Sequence, residues 1–368
     1  MPIDDLFAEA QRQLAVCNSC RYCQGYCPVW PALELRTALS AGDLTHLSNL
    51  CHDCRECYSA CMYTAPHEFD LNPPKVFAAV RGETYRDYVR PRPPGWMSGR
   101  RGVAATFAAA VVLLVSLALL TGGGAALAGP TSGSAYDLVP HLMLVAVVTL
   151  PAVWSCGVLA VAGLRYWRDT HGRSADLLDG LLDGRAWWAG LGQAANLRHM
   201  TGGGAGCDEP EPGRWRRRLH LAVSYGFLLC LLSTASAAVM QEFLGLMPPY
   251  DPLTVPVVTG TLGGAGIAVG CAGLLLLKRR SDPEQGTAGM RAADYSLLWA
   301  LLVLAVTGLA TLFLRHTALF GIVLLVHLAA VVVAFAVAPY TKFVHVVFRL
   351  LAIYKDNLDR RVTALPVR

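Results

Sequence analysis

The chain has 368 residues, of which 54% are hydrophobic and 15% charged, and its mean hydropathy is +0.42. This is too apolar for an ordinary soluble protein. The net charge of +5 is no nucleic-acid signature, because the basic residues gather in loops that flank apolar stretches.

The N-terminal stretch MPIDDLFAEAQRQL is acidic and amphipathic. It lacks the apolar core of a signal peptide, and residues 4–16 read as a short helix. Eight of the twelve cysteines follow, as two copies of C-x2-C-x2-C-x3-C: Cys17, Cys20, Cys23, Cys27 and Cys51, Cys54, Cys57, Cys61. Three cysteines at this spacing wrap three corners of an iron–sulfur cube, and the fourth reaches the other cluster in two-cluster ferredoxins. The expected ligation is therefore crossed. One [4Fe-4S] cluster takes Cys17, Cys20, Cys23 and Cys61; the other takes Cys51, Cys54, Cys57 and Cys27. Pro28 follows the first copy as in bacterial ferredoxins, whereas Met62 stands at that place in the second. Structural zinc, which favours separated pairs, fits two tight runs of four poorly. A disulfide scaffold requires an oxidising compartment.

Between the motifs, Glu34, Leu35, Ala38 and Leu39 recur at helical spacing, and Leu44, Leu47 and Leu50 continue it after Gly42. No alternating strand pattern occurs, so a helical two-cluster domain is expected. Asn72, Pro73 and Pro74 open a helix over 76–88. The domain covers residues 1–95 and closes at Pro91, Pro93, Pro94 and Gly95.

A six-span membrane domain is expected over 96–352, with spans at about 102–121, 138–164, 219–240, 253–277, 295–314 and 318–338. A tail over 353–368 completes the chain. The fourth span carries Gly263, Gly264, Gly266 and Gly270, small residues that let helices approach closely. The segments 165–218, 278–291 and 342–368 hold nine, four and six basic residues, whereas the opposite loops hold Arg315 alone. The positive-inside rule then places both termini and the cluster domain in the cytoplasm, on the cytoplasmic (inner) membrane. The fold class expected is all-α throughout. The glycine run in TGGGAGC lacks the strand and lysine of a phosphate loop, and Cys207 within it reads as a plain thiol. Cys156, Cys230 and Cys271 lie in spans and read as small apolar residues.

Histidines inside spans mark candidate functional positions. His327 lies in the sixth span and His345 just past it. Their separation of eighteen residues is five helical turns, about 27 Å along one face. His220 opens the third span level with His345, and the two form the preferred b-haem site. His141, near the outer end of the second span, is the expected partner of His327, with His316 as runner-up. No C-x-x-C-H motif for covalent haem occurs. One or two b-type haems are expected.

The cluster motifs, LRHMTGGGAGC, RRLHLAVSYGFLLC and PYTKFVH resemble the TcuB family of tricarballylate-utilisation iron–sulfur membrane proteins over nearly the whole chain. The carboxy-terminal half of CobZ-type cobalamin-pathway fusions is also similar. The sixth-span histidine pair resembles the cytochrome b subunit of respiratory nitrate reductase, whose partner helix carries two histidines where the third span here has His220. The resemblance implies that a separate FAD-dependent dehydrogenase oxidises a tricarboxylic acid such as tricarballylate. This chain would reoxidise that flavin and reduce membrane quinone. No strand–GxGxxG–helix unit for FAD occurs here, so electrons must enter from a partner. Two alternatives are a redox subunit for an oxidative step of corrin synthesis and a membrane transporter with a regulatory cluster domain.

Overall fold

The computed structural model describes residues 3–94, 99–127, 129, 132–171, 181–197, 200, 212–281, 284 and 286–364. Among these residues the chain is all helix and turn, without a strand. The glycine run and Cys207 lie outside the described residues.

Five helices build the N-terminal part: α1 (Ile3–Cys20), α2 (Val29–Glu34), α3 (Ala41–Leu50), α4 (Glu56–Ser59) and α5 (Pro73–Tyr88). Helix α1 buries Leu6, Ala10 and Leu14 along one face, the stripe that its periodicity predicts. Helix α2 stops at Glu34 rather than running to Leu39. Ser40 then opens α3 with a capping box, its side chain accepting from Asp43 N while Asp43 reaches back to the Ser40 backbone. Asn72 caps α5 by accepting from Lys75 N, with prolines in the first turn.

The membrane part contains α6 (Gly99–Leu120), α7 (His141–His171), α9 (Pro212–Glu242), α10 (Val255–Arg279), α11 (Ala288–Phe313) and α12 (Phe320–Val337). All six are long and apolar enough to cross a membrane. Leucines and valines such as Leu113, Leu142 and Val306 stand exposed along them, as lipid-facing side chains do. Helix α12 packs on α6, α7 and α11, while α10 packs between α9 and α11. The glycines of α10 bring two backbones together: a Cβ added to Gly263 would lie 2.7 Å from the Gly226 carbonyl oxygen of α9.

Two further helices complete the fold, α8 (Gly184–Asn196) and α13 (His345–Ala364). The expected tail from residue 353 is instead the second half of α13, which packs on α3, α7 and α8. Phe348 of α13 is fully buried and stacks on Tyr166 of α7 at 5.2 Å, with Tyr88 of α5 edge-on to both. One apolar core thus runs from Leu6 and Leu14 through Leu47 and Val80 to Tyr166, Phe348 and Ala352. That core takes residues from both sides of the boundary expected near residue 95.

Candidate metal centres

Each cysteine motif is a helix end followed by a left-handed turn. Cys17 and Cys20 leave the last turn of α1, and Arg21 then takes φ 56°. Cys51 caps α3, Cys54 follows, and Arg55 takes φ 69°. Arg21 and Arg55 stand at the same place in the two repeats. A non-glycine residue there costs roughly 1–2 kcal/mol, which the loop closure around the cysteines must offset.

The thiols gather in two sets. Burial, then Cys61, Cys23 and Cys20, pushes the Cys17 thiol up to about 12. Burial, then Cys27, Cys51 and Cys54, pushes Cys57 well above the ordinary thiol value. Cys27 rises for the same reasons, with Cys51 and Cys54 as its neighbours. The structure therefore brings Cys61 to the first motif and Cys27 to the second. Crowded buried thiols shed their protons when a metal takes the place of those protons. This donor chemistry fits iron–sulfur clusters. Among the described residues no three His, Cys, Asp or Glu side chains converge on a single ion, whereas a cube spreads its ligands over four separate irons.

The two sets differ in surroundings. Cys17, Cys20, Cys23 and Cys61 line a hollow near the surface. Cys20 is exposed, and Tyr22 (59% exposed) and Met62 (64%) stand beside it. The set of Cys27, Cys51, Cys54 and Cys57 faces the helix ends of the membrane part. Three arginines seal it. Arg81 Nη1 donates to the carbonyls of Ser48 at 2.6 Å and Cys51 at 3.3 Å. Arg349 Nη1 donates to Asn49 O at 3.0 Å and also to Leu50 O. Arg216 Nη1 donates to Cys54 O at 3.2 Å. Only the i, i+4 spacing of His345 and Arg349 could have singled out any of these arginines in the sequence.

Among the histidines, His220 of α9 and His345 of α13 come within electrostatic reach of each other. In His220, Nδ1 bonds Ser224 Oγ at 3.1 Å. In His345, Nδ1 donates to the Lys342 carbonyl at 2.6 Å. Such bonds fix ring orientation and leave Nε2 to a metal. Burial, then the Lys342 ammonium, pushes His345 down to about 3, so its ring is neutral, as a ligand must be. The donor chemistry of the two rings suits axial ligation of a haem.

The other candidates are placed apart. His327 Nδ1 bonds Thr307 Oγ1 at 3.0 Å, and its ring lies against Gly308. His141 Nε2 sits 3.1 Å from Glu242, and its ring meets Tyr136 edge-on. His316 Nε2 accepts from Arg315 at 3.0 Å. His141 and His327, expected as a pair, each hold a partner of their own, Glu242 and Thr307. The eighteen-residue argument also changes, because α12 ends at Val337. Two short 3-10 turns over Ala338–Tyr340 and Lys342–Val344 intervene before His345 opens a new helix. Pro339 and the extended Thr341 (ψ 178°) break the line.

A half-buried ion-pair group adjoins the pair. Asp294 at the start of α11 binds both Lys278 and Lys342. Asp294 fell one residue outside the span read from the sequence.

Residues 97–365 match the family described as Citrate utilization protein B. Residues 10–87 match the Citrate utilization protein B Fer4-like domain. The citrate utilization protein B of Escherichia coli is 36% identical over 361 residues, covering 96% of this chain and 93% of its own length. No solved structure matches.

Proposed function

Because this chain belongs to the citrate utilization protein B family, we propose that it carries electrons from the reduced FAD of a separate tricarboxylate dehydrogenase to membrane quinone. Tricarballylate, from the resemblance, and citrate, from the relative's name, are both tricarboxylic acids, and either suits this reading. What supports this reading is that Cys61 neighbours Cys17 and Cys27 neighbours Cys57, with Arg349 in reach of both Cys27 and His220.

Two [4Fe-4S] clusters and b-type haem would supply one-electron carriers here, while the protein sets their spacing and potentials. The residues have separate tasks. Cys17, Cys20, Cys23 and Cys61 would hold the outer cluster at the surface, where a soluble flavoprotein can approach. Cys27, Cys51, Cys54 and Cys57 would hold the inner one away from water. His220 and His345 would bind haem axially through Nε2. The basic residues of α9 and α10 share the cluster side of the membrane, which supports a cytoplasmic position for that side. With no flavin fingerprint in the chain, the flavin belongs to the partner.

The test is direct. The purified protein should contain acid-labile sulfide, non-haem iron and pyridine-haemochrome-positive haem. Adding the reduced dehydrogenase should bleach the cluster absorbance and bring up reduced b-haem bands. Cofactor-loaded protein that stays oxidised beside its reduced partner would overturn the proposal.

A further inference from the structure

Arg349 stands one turn beyond His345 on α13, so both side chains leave the same helix face. Its guanidinium holds the carbonyls of Asn49 and Leu50, the two residues before Cys51. Cys51 and Cys27 lie within its electrostatic reach on one side, and His220 on the other. Arg81 closes the same loop from α5. Among the described residues neither Arg349 nor Arg81 forms an ion pair with a carboxylate.

A cation held out of bulk water needs a counter-charge close by. For Arg349 the anions in reach are the Cys51 and Cys27 thiolates once metal has displaced their protons, while Arg81 also feels the Asp53 carboxylate. In the outer set, Arg21 follows Cys20, but its side chain is 57% exposed and sits 3.7 Å from Glu34, so water and salt screen it.

We infer that Arg349 is a positioning residue that couples the inner cysteine set to the membrane histidines and raises the midpoint potential of the centre held there. The inference rests on the electron-transfer reading above. Reduction adds one electron, and therefore one negative charge, to the inner centre. A half-buried guanidinium beside it stabilises that charge. One electron leaves the outer centre and one enters the inner centre, with no bond or proton change. The order is thus outer set, inner set, then the His220–His345 site, and the charge of Arg349 makes the first transfer run downhill.

The experiment is a redox titration followed by electron paramagnetic resonance on full-length, iron-loaded protein. Cys20→Ser identifies the outer-set signal. In Arg349→Gln the inner-set potential should fall by at least tenfold in its one-electron equilibrium, about 59 mV, while the outer set stays within that limit. Arg349→Lys keeps the charge and should hold the native value within tenfold. An unmoved inner potential, equal shifts in both sets, or a fall in Arg349→Lys as large as in Arg349→Gln would overturn the inference. Should Arg349→Gln fail to assemble, Arg349→Lys and the native protein carry the test. With the haem oxidised, the inner-set signal of native protein should relax faster than the outer one; equal rates overturn the order. Native protein without iron or haem would refute the function itself. Native protein that reduces quinone, with potentials indifferent to Arg349→Gln, would refute this inference alone.

Discussion

Arg36 and Asp359, 323 residues apart, meet at 2.8 Å. The Arg36 side chain is only 8% exposed and also holds Asp43 at 2.7 Å, while Asp359 takes Lys355 at 2.9 Å. This small network fastens the first part of the chain to the last helix. Asp359→Ala should lower unfolding free energy by about 1.5–3 kcal/mol, the range for hydrogen bonds to charged groups. Arg86→Ala, which removes an exposed pair with Glu83, should be near neutral. Thermal melts in detergent compare the two.

Crossed ligation predicts which signal each cysteine variant removes. Cys61→Ser should abolish the cluster of Cys17, Cys20 and Cys23, and Cys27→Ser that of Cys51, Cys54 and Cys57. Each should lose roughly half the iron and sulfide, because each removes one corner ligand. Loss of the outer-set signal in Cys27→Ser would show uncrossed ligation.

Haem content should track His220 and His345. Either alanine variant removes an axial ligand and should abolish the low-spin spectrum while both clusters remain. Ser224→Ala loosens the ring of His220 and should weaken haem affinity by about 10–100-fold, the usual effect of a supporting partner. His141→Ala should leave haem content unchanged, since Glu242 and Tyr136 occupy that ring. Haem per protein after gel filtration decides each case. A full low-spin complement in His345→Ala would remove His345 from the site.

Gly263 lies too close to α9 to carry a side chain. An added Cβ would sit 2.7 Å from Gly226 O, 2.8 Å from Cys230 Sγ and 2.9 Å from Cys230 N. Two of these atoms are backbone, so the helices must part. Gly263→Ala should destabilise by roughly 1–3 kcal/mol, the range for overpacking. Gly192→Ala, with open space around it, is the control, and melting in detergent reads both.

Stability should fall in mild acid because of His46. Its ring is fully buried on α3, and neither nitrogen has a hydrogen-bond partner. Burial first, then the charges of Arg36 and Lys355, pushes it well below its ordinary value of 6.5. The folded protein therefore keeps His46 neutral, while the unfolded chain binds a proton below about 6.5. Its contribution is complete above that pH and is lost as pH falls toward the depressed folded value. The slope is at most about 1.4 kcal/mol per pH unit. Melts between pH 8 and 5 should flatten in His46→Leu; an unchanged slope would assign the acid sensitivity elsewhere.

Much of this was legible in the sequence because its signals are local. Cysteine spacing, the apolar length of the six spans and the Asn72–Pro73 cap each act over a few residues. The glycines of α10 announced a close approach, and Gly226 of α9 supplies the opposing face. What stayed hidden depends on distant pairing. Helix α8 reads as loop until Trp187 is seen stacked on Tyr354 at 4.4 Å. The second half of α13 reads as a charged tail until Arg36 and Asp183 are seen to take Asp359 and Arg361. The contacts of His141 with Glu242 and of His327 with Thr307 were hidden because depth along a helix is readable from sequence and azimuth is not. Of the arginines on carbonyls, only Arg349 left a trace, its i, i+4 spacing from His345.

The shared core also bears on how the protein is made. Proteins commonly fold their N-terminal domains first as the ribosome proceeds. Here Tyr88, Leu47 and Val80 await Tyr166 and then Phe348 and Ala352, which lie some 260 residues beyond Tyr88 in the sequence. The carbonyls before Cys51 await Arg349. Arrival of the carboxy-terminal helix closes the chamber, so a chain interrupted before residue 345 should leave its first motif pair exposed to oxidants and proteases.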